Sequence, residues 1–255
     1  EVIPLTPKEL GSSDVFPQNL QHSPDGRLVA VWGDGEYVVY STIGWRNRSF
    51  GRGAEIAWAA PGGDVFASRD AIGGRVSINR VTSHDGSSPI PGITDCDRIF
   101  GGPLLGISRG GSSLSFSPQS FESGEEGIED SLELADELEQ VLRSVCWISG
   151  DCFVYLTQEN RLAYHVVGGD ADESFQLAVF DKSHFMLGFL PSEGRVYLTD
   201  QDLQVTSYAI LPALIAFQSA VLKDSERIEK ALLHLAEIPS IYHARLAVFL
   251  QRRGH

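Results

Sequence analysis

The sequence lacks a long apolar run: no stretch approaches the roughly eighteen consecutive apolar residues that a membrane-spanning helix needs. The start, EVIPLTPKEL, has neither the basic nor the apolar region of a secretory signal. Cysteine is scarce, and Cys96, Cys146 and Cys152 form no CxxC pair, which favours a reducing compartment over a disulfide framework. We therefore expect a cytosolic protein, and because the chain begins at Glu1 rather than Met, a piece of a longer one.

Basic residues are also few. The chain has 20 Lys and Arg against 34 Asp and Glu, which gives a net charge of −14. This excess argues against a surface built mainly for phosphate backbones or anionic lipid, because such surfaces need clustered cations. We expect no nucleic-acid partner.

The motifs of the common active sites are absent. There is no GxxxxGK[ST] loop, no GxGxxG opening a helix and no HExxH, and Ser23, Ser83 and Ser149 lack the context of a nucleophile elbow. No two histidines have paired ligand spacing, and none has a cysteine at zinc-finger spacing. The histidines are His22, His84, His165, His184, His234, His243 and His255. The sequence thus predicts no catalytic, cofactor-binding or metal-ligating residue.

The stretch from Gln18 to Tyr40 is the clearest structural unit. It reads as three short extended segments separated by a Ser23-Pro24-Asp25-Gly26 turn and by Gly33-Asp34-Gly35. Proline fixes φ and glycine supplies the positive φ that a chain reversal needs. The pattern is typical of a quarter of a β-sandwich or part of a propeller blade.

The unit repeats along the chain. An offset of 36 residues carries His22 to Trp58, Gly26 to Gly62 and Val29 to Val65. A period near forty is typical of propellers of the WD-repeat type, whereas a sandwich has no reason to repeat at this spacing. Residues 46–51 fit an outer strand, and further copies are expected at 98–116, 145–166 and 185–210, with an outer strand at 175–179 before the last. The copies lack the Trp-Asp dipeptide, so we predict a degenerate β-propeller over residues 1–211.

Three tryptophans fall in these predicted strands. They are Trp32, Trp58 and Trp147, and packing between blades is the usual role of a large aromatic residue in such a strand. We therefore predict that all three belong to the core.

Two segments have helical spacing. The first, residues 122–143, alternates acidic residues with Ile128, Leu132, Leu138 and Leu142, which predicts an acidic amphipathic helix inserted between repeats. Its carboxylates could form a hydrolase pair, but a solvated helix face does not hold two carboxylates in unequal environments. They are Glu125, Glu126, Glu129 and Asp130.

The second helical segment covers residues 212–255. It predicts three short amphipathic helices at 213–222, 225–235 and 239–252, with Asp224 or Ser225 capping the second and Pro239 in the first turn of the third. Short connections between such helices favour the start of an α-solenoid. We expect Leu246, Phe249 and Leu250 to face a following helical pair.

Several motifs together resemble one family. The resemblance rests on PKELGS at residues 7–12, QHSPDGR at 21–27, GDGEY at 33–37, RNRSFG at 46–51, IFGGPLLG at 99–106 and GDCFVY at 150–155. This series is similar to the second propeller of the beta-prime subunits of coatomer, the COPI vesicle coat. The resemblance covers nearly the whole chain in order.

The resemblance implies a non-enzymatic scaffold of COPI-coated vesicles in Golgi-to-ER retrograde and intra-Golgi transport, peripheral to the membrane on its cytoplasmic face. It implies pairing with the alpha subunit through the helical region. Dilysine cargo tails are implied as ligands of the family, through a propeller upstream of this segment, so no cargo-binding residue is assigned here.

One departure and one alternative stay open. After Phe116 the family usually has about one more blade, so either the ring is shortened and open or strained, or a stretch is missing. The alternative function is a propeller module of another cytosolic complex that binds a basic peptide.

Overall fold

A computed structural model describes residues 8–60, 62–82, 87–110, 113–117, 142–167, 174–223 and 228–255, without the side chains of 113–117 and 223. The chain divides into two compact units. Among the described residues, the first unit includes 8–109 and the second 142–255.

The first sheet is an antiparallel meander of four strands in the order β1-β2-β3-β4. The strands are β1 (Asn19–His22), β2 (Leu28–Gly33), β3 (Glu36–Ser41) and β4 (Asn47–Arg52). Asp34 and Gly35 have φ of 54° and 80°. Those angles allow a two-residue reversal between β2 and β3, in which Gly33 pairs with Glu36.

The next strands of the first unit repeat this plan. The second sheet has the order β5-β6-β7-β8. The third sheet includes β9, which pairs with β10. The strands are β5 (Glu55–Trp58), β6 (Val65–Arg69), β7 (Val76–Arg80), β8 (Ser88–Pro89), β9 (Arg98–Phe100) and β10 (Leu105–Arg109), followed in the chain by β11 (Ser113–Ser117).

The second unit contains two further meanders. The fourth sheet has the order β12-β13-β14-β15 and the fifth β16-β17-β18. The strands are β12 (Leu142–Ser149), β13 (Cys152–Thr157), β14 (Arg161–Val166), β15 (Phe175–Val179), β16 (His184–Leu190), β17 (Arg195–Asp200) and β18 (Val205–Ala209). The central strand β13 is buried at every position.

Aromatic residues join the first and second sheets. Trp58 is 2% exposed and meets Phe66 edge-on, with ring centroids 5.3 Å apart. Its indole Nε1 donates a hydrogen bond of 3.2 Å to the carbonyl oxygen of Gln21 in β1. Trp32 belongs to the same buried cluster. Trp58 therefore ties β5 to the first strand of the preceding sheet.

A buried carboxylate joins the second sheet to β9. Glu55 accepts hydrogen bonds from Arg69 Nε at 3.3 Å, from Arg98 Nε at 2.7 Å and from the backbone N–H of Ile99 at 3.0 Å. A buried charge needs such partners, because desolvation would otherwise make it costly. Beyond the other end of β5, Ala60 N–H donates to the carbonyl of Gly102 at 2.9 Å.

Three helices follow the last strand. They are α1 (Pro212–Lys223), α2 (Ile228–Leu235) and α3 (His243–Arg252), with one 3₁₀ turn (Ser240–Tyr242) before α3. Leu214, Phe217 and Val221 of α1 are buried in one cluster with Val154 and Leu198 of the fourth and fifth sheets. The hydroxyl of Tyr164 donates to Gln218 Oε1 at 2.9 Å, which satisfies both buried polar groups.

The predicted fold class is confirmed: the protein is mainly β, built from propeller-type meanders and followed by short helices. Trp32 and Trp58 are in the core as predicted, and Trp147 is half-buried against Phe153. The predicted strand at 175–179 is the fourth strand of the fourth sheet.

Three local predictions need correction. The inserted helix at 122–143 lies outside the described residues except for its last two, and these begin β12 because Leu142 pairs with Thr157. Pro239 precedes a 3₁₀ turn, and α3 starts only at His243. Leu246 and Phe249 pack into the core of the second unit rather than toward a following helical pair, and Leu250 packs against that core.

Candidate functional site

A groove of about 1250 Å³ opens at one end of the first and second sheets. Its walls are the loops that join β1 to β2, β3 to β4 and β5 to β6, together with the residues after β7. These loops meet because the 36-residue repeat places corresponding hairpins of neighbouring sheets at the same end. We call this cavity the hairpin groove.

Hydrogen bonds fix the loops of the hairpin groove. Thr42 Oγ1 donates to the carbonyls of Gly26 and Arg27, both at 3.0 Å, and joins the two loops of the first sheet. The backbone N–H of Arg46 donates to Ser41 Oγ at 3.1 Å. Trp45 stacks on Tyr40 with centroids 4.6 Å apart. The walls are thus held in place without a ligand.

Three arginines and two aspartates line the groove. Arg46 and Arg48 are exposed, and their guanidinium groups have no ion-pair or hydrogen-bond partner among the described residues. Arg27 lies 3.8 Å from Asp25. The hydrogen bond from Ser23 and that from the Arg27 N–H lower the pKa of Asp25 below its ordinary value. Asp64 is exposed. The groove therefore carries an excess of positive charge in an acidic chain.

A second cavity of about 450 Å³ lies along the outer edge of the first sheet. It is lined by Asp14, Glu36, Arg52 and Phe50, whose side chain is 74% exposed. Two carboxylates against one guanidinium give this cavity a small excess of negative charge, opposite in sign to that of the hairpin groove.

The C-terminal helices expose apolar side chains. The exposed fraction is 45% for Leu232, 77% for Leu233, 78% for Ile241 and 50% for Val248. Large exposed apolar residues in a group can mark a protein interface, whereas scattered ones are normal on any surface.

The residues weighed for chemistry in the sequence do not converge. Ser23 donates to Asp25 at 2.6 Å and Ser149 to Asp151 at 2.8 Å, so both hydroxyls serve turns. His165 and His184 are buried, whereas His22 and His255 are exposed. Ser83, His84 and the carboxylates Glu125, Glu126, Glu129 and Asp130 lie outside the described residues.

Two other kinds of site are absent from the part of the chain that the structure describes. Within those ranges, no three His, Cys, Asp or Glu side chains are grouped closely enough to hold a metal ion. No helix there is long and apolar enough to cross a membrane.

The cysteines are free thiols in protected positions. Cys96 and Cys152 are buried, and Cys146 is half-buried. Burial raises the pKa of Cys96 to about 11 and also raises the pKa values of Cys146 and Cys152. Because the thiolate is the nucleophile, these groups are poorly suited to attack a substrate at neutral pH.

Comparison with known proteins gives a consistent result. The family described as COPA/B second beta-propeller matches residues 1–122. Coatomer subunit beta'-1 of Oryza sativa subsp. japonica is 33% identical over 302 residues, and coatomer subunit beta' of Rattus norvegicus is 30% identical over 304 residues. Both alignments cover 100% of this chain and 32% of the relative. The chain thus spans about a third of the length of the curated relatives it matches.

A solved structure supports the fold alone. The beta-propeller domain of Myceliophteria thermophila Cps50 (Swd1) superposes with a TM-score of 0.55 at 12% identity, over 81% of this chain and 69% of that one.

The coatomer alignments are longer than the 255 residues of this chain, so the relatives contain internal sequence that it lacks. The chain belongs to the coatomer beta' family, in the region of the second β-propeller.

Proposed function

We propose that this chain is a structural part of the COPI vesicle coat and acts in Golgi-to-ER retrograde and intra-Golgi transport. The observation that carries this proposal is the similarity to coatomer beta' subunits of plants and a mammal along the whole chain. In this role the protein lies on the cytoplasmic face of Golgi membranes and COPI-coated vesicles, and associates with the membrane through the coat. It catalyses no reaction and needs no cofactor.

The helical region is the proposed contact with other coatomer subunits, chiefly the alpha subunit. Residues 212–255 would begin an α-solenoid, after a propeller at 1–211 that carries an acidic insertion. Exposed apolar side chains on α2, on the 3₁₀ turn and on α3 support this, because a helical array extends by covering such faces. Leu233 and Ile241 are the most exposed of these residues.

Dilysine cargo is proposed to bind upstream of this segment. The hairpin groove has an excess of arginine, and a dilysine tail would meet repulsion there. No residue of this chain is therefore assigned to cargo, and nucleic acid is not proposed as a partner.

The test is capture of coatomer by the full-length protein from cells that express a tagged copy. We expect the alpha subunit in the wild-type eluate, and its yield to fall by about fivefold or more in a Leu233→Glu/Ile241→Glu variant, because a charge must then be buried in the contact. Ile72→Glu is the matched control, since Ile72 is 88% exposed on a loop of the second sheet.

Two results would contradict the proposal. Absence of every coatomer subunit from the wild-type eluate would contradict the proposed role in the coat. Equal yields from the helical variant and the control would remove the helical contact while leaving the coat role intact. The alternative, a basic-peptide module of another complex, is not favoured by the comparisons.

A further inference from the structure

We propose that the hairpin groove binds an acidic peptide segment, with Arg46 and Arg48 as its main contacts. Arg46 comes directly before β4, Arg48 is the second residue of that strand, and both line the same cavity. Guanidinium forks match carboxylates in shape and charge, and they form charge-assisted hydrogen bonds to them. The inference does not depend on the coat role.

The available positive charge comes from these two arginines. Neither has a partner among the described residues, so a ligand carboxylate would not have to displace an existing ion pair. The charge of Asp25 is already engaged by Ser23, by the Arg27 N–H and, at 3.8 Å, by Arg27 itself. Asp64 is the remaining acidic group of the lining. A ligand that reaches Arg46 and Arg48 therefore meets net attraction.

The groove is also prepared for binding. The bonds from Thr42 to Gly26 and Arg27 and from the Arg46 N–H to Ser41 fix the backbone on which the arginines stand. A preformed site avoids the entropy that a flexible loop loses on binding. On the protein side, only the arginine side chains have to become ordered.

Size and shape favour a peptide over the other anions. A cavity of about 1250 Å³ holds several side chains and is far larger than a phosphate ion needs. An anionic membrane presents a flat surface that does not enter a groove. An extended Asp- and Glu-rich segment can follow the groove and place carboxylates on both arginines.

The experiment measures binding of a fluorescently labelled Asp/Glu-rich peptide to the intact chain by fluorescence anisotropy. We expect saturable binding that weakens from about 50 to about 300 mM NaCl, because exposed charges are screened over this range. A peptide of the same length with Asn and Gln in place of Asp and Glu is expected to bind at least about tenfold more weakly.

The variant Arg46→Glu/Arg48→Glu should weaken binding of the acidic peptide by about tenfold or more, because attraction becomes repulsion. The control Arg52→Glu/Arg75→Glu makes the same change in net charge at exposed positions outside the groove, and binding should stay within about twofold. Thermal melting checks that both variants fold. If the glutamate variant does not fold, Arg46→Gln/Arg48→Gln replaces it, with the same expected direction.

Three outcomes would overturn the proposal. The acidic peptide fails to bind, the two double variants weaken binding equally, or the groove variant leaves peptide binding unchanged. Loss of binding to phosphatidylserine vesicles in the groove variant, with peptide binding unchanged, would identify a membrane contact instead.

Discussion

Replacing Trp58 by alanine tests the contact between the first and second sheets. Trp58 is 2% exposed, meets Phe66 edge-on and donates its indole N–H to Gln21 in the neighbouring sheet. Emptying a fully buried tryptophan site costs about 3–5 kcal/mol. Losing the hydrogen bond adds little to this free-energy cost. Gln21 lies in an exposed strand, so water can donate a hydrogen bond to its carbonyl oxygen instead.

The assay should separate the two compact units. We expect Trp58→Ala to lower the melting temperature of the first unit by at least about 12 °C, from about 4–8 °C for each kcal/mol in a domain of about 100 residues. Hydrogen exchange read by mass spectrometry should show the loss of protection in residues 8–109 and little change in 142–167. A single melting temperature for the whole chain would mix two transitions.

Two variants control the measurement. Trp58→Phe keeps most of the ring but removes the indole N–H, so we expect a smaller loss of about 1–2 kcal/mol. Ile72→Ala changes a residue that is 88% exposed and should alter stability by less than about 0.5 kcal/mol. An unchanged melting temperature and unchanged hydrogen exchange in Trp58→Ala would refute the assignment of Trp58 to the contact between the first and second sheets.

Two further predictions concern the same unit. Gly101→Ala should destabilise the first unit and expose the Ala60 N–H to exchange, because a Cβ at this position would lie 2.1 Å from the carbonyl oxygen of Trp58. Gly150→Ala is the control, since its Cβ would meet nothing within 4 Å. Equal stabilities of the two variants would contradict the prediction. Because burial raises the pKa of Cys96 to about 11, the unfolded chain loses this proton first, so the free energy of unfolding falls from about pH 9 to 11. Urea denaturation should then show the stability gap between wild type and Cys96→Ala narrowing over that range, and a constant gap would rule out this linkage.

The strands were predictable where turn chemistry fixed their ends. Gly26 and Asn160 have φ of 71° and 62°, and each marks a reversal that the sequence shows as Asp-Gly or Glu-Asn. β13 and β14 consequently lie inside the copy predicted at 145–166, one on each side of Asn160. Outer strands were also recognisable, because β4 alternates basic and polar residues along an exposed edge.

The partners of the helices could not be predicted. Helical spacing identifies Leu246 and Phe249 as an apolar face, but it does not say which surface covers that face. The structure buries them with residues of the fourth and fifth sheets, which lie about 50 to 100 positions earlier in the sequence. Leu142 shows the same limit, since a buried residue at helical spacing also fits the first position of a strand.

The hairpin groove depends on the repeat rather than on a motif. Arg46 and Arg48 look like ordinary edge-strand residues, and Asp64 looks like a turn residue of another repeat. The 36-residue register was the available signal, because it places corresponding hairpins of adjacent sheets side by side. Sequence spacing alone does not show which side chains remain without a partner.

The core that α1 shares with the fourth and fifth sheets has a mechanical consequence. Two side-chain hydrogen bonds reinforce this core. Tyr164 donates to Gln218, and Ser219 donates to Asp151 at 2.7 Å. A force that pulls on α1 would be resisted by its packing against side chains of the sheets, because no flexible linker separates them. The junction after β18 therefore behaves as a stiff joint. In the coat that we propose, changes of lattice curvature would have to be absorbed at other joints.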